Sequence, residues 1–364
     1  MNQEQKRQAQ QKAFVESGQE LSIGTLDGLG IDVVTLAATT SASNYVQQVF
    51  DSGLTAVVYK LNLGGENWTL KRKRDQSLVK YIDGQTSFLN EVQRRCDFTH
   101  LKQQAQGGFV HVVDTRYASF LHGVILSPWI EGEGLSRLDE SVFRQIFSTI
   151  CSLEMAGLFE WDLCPGNLLV DQSGQIKLFD FGYMYRFDPK TEFNSNGLDT
   201  PMFHGVERFE TRFFFDYLLK HSHTLSAQEQ LTLYHCEKTC AFEAYQDKRS
   251  RLADRGASEA VLSWHDALLN DWRQALKEES ALRRLFQREK FRSTLLDMLD
   301  DVHGKSCTHY TLQKADYVLN TLEKDYGQLK QEGGLFFGDE HCTQAQLLAK
   351  YRAMRADAVR YQLS

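Results

Sequence analysis

Two short motifs constrain the fold of this chain more than any other feature. The first runs from Asp162 to Val170 with the sequence DLCPGNLLV, and the second is Asp180-Phe181-Gly182. Asn167 follows Asp162 by five residues and precedes Asp180 by thirteen. In phosphoryl-transfer sites, a loop aspartate can orient a hydroxyl nucleophile, while an asparagine and a second aspartate hold Mg²⁺ on the phosphates. The spacing therefore indicates a site of this kind.

The residues between the motifs support the same interpretation. Apolar, strand-like runs at 168–171 and 176–179 flank the turn-type sequence QSGQ at 172–175, which predicts a hairpin. On these residues the sequence resembles the protein-kinase-like superfamily: the catalytic loop HRDLxxxN has its counterpart in Glu160 to Asn167, and the DFG motif is intact. The resemblance covers about residues 44–219. It implies an α+β, two-lobed protein-kinase-like fold with a small β-rich N-lobe and a large helical C-lobe.

Three regions are expected along the chain. Residues 1–43 are predicted to be a polar N-terminal extension, whose Gln-rich first twenty residues are expected to be mobile. Residues 44–130 are predicted to form the N-lobe, with strands at 45–50, 56–63, 68–72, 109–113 and 123–128 and a helix beginning after Gln85. Residues 131–364 are predicted to form the helical C-lobe with a C-terminal helical extension, because apolar residues recur there at helical spacing.

Charge and hydropathy restrict the partners and the compartment. The formal net charge is −7, so no overall basic field favours nucleic acid as a partner. No apolar stretch approaches the length of a membrane span, and the N-terminal residues are polar rather than those of a signal peptide. Seven scattered cysteines suit reduced thiols. We expect a cytoplasmic protein without a membrane span, and the oligomeric state is left open.

The lysine that contacts the nucleotide phosphates has two candidates. Trp68-Thr69-Leu70-Lys71 resembles the VAIK strand of kinases, which makes Lys71 the first choice. Lys73 has the same side-chain parity on a strand, and alternation alone does not separate the two. The resemblance implies Glu91, on the helix after this strand, as the ion-pair partner of the lysine. The alternative for Glu91 is a solvated helix carboxylate.

Two segments resemble those that contact ATP in kinases. Residues 51–58 align with GxGxxGxV, but only Gly53 remains of the three glycines, and Val58 takes the place of the valine. Residues 126–132 resemble the segment connecting the lobes, which implies that the Pro128 carbonyl and the Ile130 amide face the adenine edge. The alternative is that Pro128-Trp129 is only a rigid linker.

Two departures from the protein-kinase pattern and two similarities to known kinase segments bear on substrate and regulation. Trp161 stands where many regulated kinases have the arginine that pairs with a phosphorylated activation loop, and Cys164 stands where Ser/Thr protein kinases have a lysine. The Pro165-Gly166-Asn167 sequence is similar to the PxN loops of bacterial kinase-like phosphotransferases. In contrast, residues 200–207 (TPMFHGVE) resemble the TPx[FY]xAPE end of a protein-kinase activation segment.

The resemblance implies an ATP- and Mg²⁺-dependent kinase acting on a hydroxyl. Asp162 would orient the hydroxyl, Asn167 and Asp180 would bind the metal, and Lys71 would neutralise phosphate charge. The acceptor expected first is a protein serine or threonine. The alternatives are a small-molecule, sugar or lipopolysaccharide acceptor, or a pseudokinase binding module without turnover. Retention of Lys71, Asp162, Asn167 and Asp180 argues against the pseudokinase.

Overall fold

The computed structural model describes residues 1–79, 81–104 and 108–363. The packing of the chain divides it into two compact units. The first comprises Met1–Arg137, Gln145–Pro201 and Arg255–Val261, and the second comprises the remaining residues. All of the candidate site residues belong to the first unit.

The first unit is built mainly from short antiparallel strands. Its largest sheet has six strands in the order β1-β5-β6-β4-β3-β2, a second sheet has the order β10-β9-β7, and β11 pairs with β8. The strands are Ser22–Gly24 (β1), Val46–Phe50 (β2), Ala56–Leu63 (β3), Glu66–Lys73 (β4), Tyr117–Ser119 (β5), Val124–Pro128 (β6), Gly132–Gly134 (β7), Leu158–Glu160 (β8), Leu168–Asp171 (β9), Ile176–Leu178 (β10) and Met184–Arg186 (β11).

The two faces of the six-stranded sheet contact different parts of the unit. On one face, residues of β3, β4 and β6 such as Tyr59, Leu70 and Leu126 pack around the buried Leu36. On the other face, Ile125 and neighbouring residues pack against the helix Ile82–Gln104 through its Val92. Ile125 is the cross-strand partner of Lys71. This register places Lys71 on the face of the sheet that is covered by the long helix.

Helices make up most of the second unit. The α-helices of the described residues are Gln3–Ser17 (α1), Val33–Ala37 (α2), Ile82–Gln104 (α3), Glu140–Met155 (α4), Gly205–Phe209 (α5), Phe215–Lys220 (α6), Ala227–Asp254 (α7), Glu259–Ala275 (α8), Glu279–Gly304 (α9), His309–Gln331 (α10) and Gln344–Arg360 (α11). Helices α9, α10 and α11 bury one apolar cluster that includes Leu295, Val318 and Leu347. The α+β class, with a β-rich N-terminal part and a larger helical C-terminal part, is confirmed.

The expectation of mobile N-terminal residues is wrong, because they form the helix α1. A capping box between Asn2 and Gln5 satisfies the first amides of the helix. Phe14 packs edge-on against Phe120, with ring centroids 5.9 Å apart, and Arg7 forms an ion pair with Asp83 of α3 at 3.0 Å. These contacts hold the helix in place, although its sequence has too few apolar residues to show an apolar stripe at helical spacing.

One of the predicted strands is also absent. Residues 109–113 form turns with a single isolated bridge from Val112 to Leu178, rather than a strand. Phe109 has a φ of 61°, which is incompatible with an extended chain. The other predicted strands of this region are confirmed, and each of their ends lies within two residues of the predicted position. In the part of the chain that the structure describes, no helix has both the length and the apolarity needed to cross a bilayer.

Candidate active site

Lys71 is the centre of a charged cluster in the first unit. Its Nζ lies 2.5 Å from Oε2 of Glu91 and 2.7 Å from Oδ2 of Asp180. Strand β4 supplies the lysine, α3 supplies Glu91, and the chain after β10 supplies Asp180. Burial opposes the charge on Lys71, but the carboxylates of Asp180 and Glu91 outweigh it and raise the pKa of the lysine. The ammonium is therefore fixed as a cation between two carboxylates.

Lys73 lies apart from this cluster. Its Nζ is 5.4 Å from the ring centroid of Phe120, and its backbone N–H donates to the carbonyl of Gly123. The two side chains point to the same face of the sheet, but Lys73 is the last residue of β4, two residues further along the strand than Lys71. The structure thus brings Lys71, and not Lys73, to the two carboxylates.

Glu91 is fixed by a second cation that the sequence interpretation missed. Its side chain is 1% exposed, and Nη2 of Arg95 donates to its Oε1 at 3.0 Å. Arg95 also donates to Oγ of Ser127 in β6 at 3.2 Å. A buried carboxylate is costly unless it is paired on both oxygens. The available signal was the position of Arg95, one helical turn after Glu91 on the same face of α3.

Asp180 has a strained backbone and a stabilised negative charge. Its φ is 111°, a value that non-glycine residues rarely adopt, and its Oδ1 accepts the backbone N–H of Gly182 at 3.2 Å. Burial raises the pKa of the carboxyl, but the adjacent Lys71 outweighs that effect and holds the pKa of Asp180 below its usual value. Phe181, fully buried, packs its ring 4.8 Å from that of Phe98 on α3.

The loop after β8 holds Asp162 and Asn167 together. The backbone N–H of Asp162 donates to Oε1 of Glu160 at 2.7 Å, and Nδ2 of Asn167 donates to the carbonyl of Asp162 at 2.8 Å. A single turn of 3₁₀ helix, Pro165–Asn167, shortens the path between them. The N–H of Phe179 donates to the carbonyl of Asn167 at 3.1 Å, so Asn167 is tied to the residue before Asp180.

The two residues expected to hold Mg²⁺ fit that ion chemically. Nδ2 of Asn167 donates to the carbonyl of Asp162, and Oδ1 of the same amide is the atom that could bind a cation. Each carboxylate oxygen of Asp180 keeps a second lone pair beside its existing hydrogen bond. Mg²⁺ prefers such oxygen ligands, and in kinase-type sites it is bound by one or two of them together with substrate phosphates and water.

Besides Lys71, the expected nucleotide-contacting residues lie on β3, on β6 and in the loops beside these strands. Val58 of β3 is the cross-strand partner of Lys71. The carbonyl of Gly53 accepts a hydrogen bond from Nε of Arg74 at 2.8 Å, which ties the preceding loop to the end of β4. Pro128 ends β6, and the segment up to Ile130 is held by the N–H of Trp129, which donates to Asn67 at 3.1 Å. Only Val58 is brought directly beside Lys71 by strand pairing.

Comparison with known proteins gives a family match over the same segment. A family model described as the ABC1 atypical kinase-like domain matches residues 124–198, about a fifth of the chain. This segment contains Asp162, Asn167 and Asp180. Over this segment the chain is similar to the protein-kinase-like superfamily.

The other similarities are short or weak. Two uncharacterized proteins of Mycobacterium tuberculosis strains, MT0675 and Rv0647c, are each 60% identical to this chain over 35 residues. The match spans 10% of this chain and only 7% of the length of each of these relatives. A solved structure of WbdD with the kinase inhibitor LY294002 has 13% sequence identity, covers 56% of this chain and 45% of that chain, and gives a TM-score of 0.33.

Proposed function

We propose that this chain transfers the γ-phosphoryl group of ATP to a hydroxyl group in the presence of Mg²⁺. The observation that carries the proposal is the position of Lys71, which contacts Glu91 and Asp180 at once. Active protein-kinase sites need both this lysine–glutamate pair and the DFG aspartate in place. A chain that had lost phosphoryl transfer would have no need to keep this arrangement together with Asp162 and Asn167.

Each residue has a defined part in the reaction. Lys71 binds phosphate oxygens of ATP, and Glu91 with Arg95 holds it in position. Asp162 accepts a hydrogen bond from the acceptor hydroxyl and takes its proton as the new oxygen–phosphorus bond forms and the bond to ADP breaks. Asn167 and Asp180 hold Mg²⁺, which, when bound, neutralises charge on the phosphate oxygens.

For the acceptor we favour a protein serine or threonine, because residues 200–207 resemble the end of a protein-kinase activation segment. A small-molecule, sugar or lipopolysaccharide hydroxyl is the second candidate. Cys164 favours it, since this position lacks the lysine of Ser/Thr protein kinases. The match to a family described as atypical kinase-like is a further reason to test both classes. Mass spectrometry of proteome and metabolite extracts after incubation with ATP, Mg²⁺ and the protein would distinguish them.

The Asp162→Ala variant tests the phosphoryl-transfer proposal directly. We expect kcat for ATP turnover to fall by roughly 10²–10⁴-fold, as is typical for loss of a general base. ATP affinity should change little, because Asp162 lies on the acceptor side and has no part in phosphate binding. Steady-state kinetics with nucleotide titrations measure both quantities. A wild-type protein that binds ATP without any turnover would favour the pseudokinase, and a selective loss of ATP binding in Asp162→Ala would contradict the assigned role.

A further inference from the structure

Asn90, next to Glu91 on α3, contacts the backbone directly after Asp180. Its Nδ2 lies 3.0 Å from the carbonyl oxygen of Phe181, 3.1 Å from that of Gly182 and 2.7 Å from that of Met184. The side chain is 1% exposed. An amide nitrogen has two hydrogens, so three carbonyl acceptors share them. One buried amide thus holds most of the segment from Phe181 to Met184.

The orientation of this amide is fixed from its other side. Oδ1 of Asn90 accepts from Nη1 of Arg94 at 3.3 Å and from Nε2 of Gln11 at 3.3 Å. Gln11 belongs to α1, is buried, and accepts in turn from Oγ1 of Thr86 at 3.1 Å. A flipped Asn90 would set its oxygen against three carbonyl oxygens and its nitrogen against two donors. The hydrogen bonds from Gln11 and Arg94 therefore select the orientation that directs Nδ2 at the segment.

The close packing of this segment leaves little space for other conformations of its backbone. A Cβ added to Gly182 would lie 3.3 Å from Cβ of Ser87 on α3 and 3.3 Å from Oδ1 of Asp180. The strained φ of Asp180 is stable only when contacts with the surrounding structure hold the backbone in this conformation. Asn90 supplies such a constraint, since it fixes the carbonyls of the two residues that follow Asp180.

We propose that Asn90 is a positioning residue for the metal-binding carboxylate of Asp180, and that Gln11 of the N-terminal helix keeps Asn90 in its active orientation. The proposal rests on the proposed function, because it assigns Mg²⁺ to Asp180. It gives α1 a part in the site, although no residue of that helix is among those assigned to contact ATP or the metal. Groups that orient metal ligands through hydrogen bonds typically change metal affinity or activity by about 10–100-fold when removed.

The test compares Asn90→Leu, Gln11→Ala and the matched control Gln10→Ala in the full chain. Gln10 is an exposed neighbour of Gln11 on the same helix. One readout is hydrogen–deuterium exchange of the backbone amides at 181–186, which reports on the segment without any need for activity. The other is the Mg²⁺ concentration that gives half of the maximal increase in ATP affinity.

For Asn90→Leu we expect faster exchange confined to this segment and its neighbours, and a half-saturating Mg²⁺ concentration raised by about 10-fold or more. ATP affinity without Mg²⁺ should be unchanged, since Lys71 is intact. Gln11→Ala should show a smaller change in the same direction, and Gln10→Ala none. If Asn90→Leu does not fold, the comparison of Gln11→Ala with Gln10→Ala decides the proposal alone.

Two results would overturn the inference. One is wild-type exchange at 181–186 or a wild-type Mg²⁺ response in a folded Asn90→Leu protein, with Gln11→Ala equal to Gln10→Ala. The other is a uniform rise in exchange over the whole chain, which would mean that Asn90 only stabilises the fold. If Mg²⁺ does not increase ATP affinity even in the wild type, the proposed function fails instead, and the exchange data still show whether Asn90 holds the segment.

Discussion

At the scale of single residues, the site depends on a cluster of charges in which Glu91 is buried and Asp180 is partly exposed. Lys71 and Arg95 supply two positive charges, and Glu91 and Asp180 supply two negative charges within hydrogen-bond distance. Removing one partner from such a set leaves another charge uncompensated, which is more costly than the original pairing was favourable. The set is therefore sensitive to single substitutions.

Lys71→Met and Lys73→Met form a matched pair that tests the assigned lysine. Lys71→Met should lower kcat by roughly 10²-fold, because it removes a fixed charge that stabilises the transferring phosphoryl group. Lys73→Met should leave kcat near the wild-type value, since its Nζ lies over the ring of Phe120 and the carboxylates of Glu91 and Asp180 pair with Lys71. Steady-state kinetics of the two variants side by side make the comparison. Greater sensitivity at Lys73 would place the phosphate-binding lysine two residues further along β4.

Sequence alternation could not separate these lysines, and the reason is physical. Both side chains point to the same face of β4, so the choice depends on where α3 crosses that face. The contacts of Asn90 with the chain after Asp180 and of Arg95 with Ser127 of β6 were missed for a related reason. Each acts through a buried hydrogen bond to another element, and one sequence without its fold does not show which buried polar groups meet.

At the scale of elements, strands β8 and β11 place a buried acid beneath the catalytic loop. Glu160 of β8 is the cross-strand partner of Met184 and accepts the N–H of Asp162. Burial, followed by the nearby carboxylates of Asp162, Asp180 and Glu91, raises the pKa of Glu160 well above its usual value, although the N–H of Asp162 opposes this shift. Its Oε2 has no hydrogen-bond partner among the described residues. Glu160 is thus held in its neutral form well above the pH at which a free glutamate ionises.

This leads to a prediction for the pH dependence of stability. Above the unfolded-state pKa near 4.5, the folded state binds more protons at Glu160 than the unfolded state, so the contribution of Glu160 to stability falls as pH rises. Glu160→Gln removes that titration and keeps the shape. The free energy of unfolding of Glu160→Gln relative to wild type should therefore increase from about pH 5 to pH 8. Urea denaturation at several pH values measures it, and a difference independent of pH would contradict a neutral Glu160.

Whether a helix or strand was predicted correctly depended on how clear its local sequence pattern is. The strands at 46–50, 56–63 and 66–73 and the hairpin of β9 and β10 were predictable, because alternating apolar residues and turn residues agree there. Helix α1 was missed, since its stability comes from an N-terminal cap and from contacts with α3 rather than from an apolar stripe. The strand predicted at 109–113 is absent, because the chain forms turns there and Phe109 has a positive φ.

At the scale of the whole molecule, the fold class was predictable, while the contacts of the segment after β11 were not. Residues 187–201 follow β11 in the first unit and are held by their own hydrogen bonds. Phe193 N–H donates to the Gly197 carbonyl at 3.0 Å, and Nδ2 of Asn194 donates to the Thr200 carbonyl at 2.9 Å. Nε1 of Trp161 donates to Oγ of Ser195 at 2.8 Å. Hydrogen bonds within the segment and one from Trp161 therefore hold these residues in place.

We expect that activity does not require phosphorylation of this segment. In phosphate-switched kinases, an arginine of the catalytic loop receives the phosphate and orders the activation segment. Here Trp161 takes that position, and its ring packs edge-on against Phe159, with centroids 4.9 Å apart. A phosphate on Thr200 would add negative charge to a unit whose site already contains Asp162 and Asp180, without a guanidinium at position 161 to pair with it.

Treatment of the purified protein with a broad-specificity phosphatase, followed by the ATP turnover assay, tests this expectation. Activity before and after treatment should agree, and Thr200→Ala should retain wild-type kcat. Intact-mass spectrometry before treatment shows whether any phosphate was present, so that an unchanged rate is informative. A large fall in activity after dephosphorylation would mean that another cation of the first unit receives a phosphate in place of the missing arginine. Arg74 would then be the first residue to substitute, because it already ties the loop at Gly53 to the end of β4.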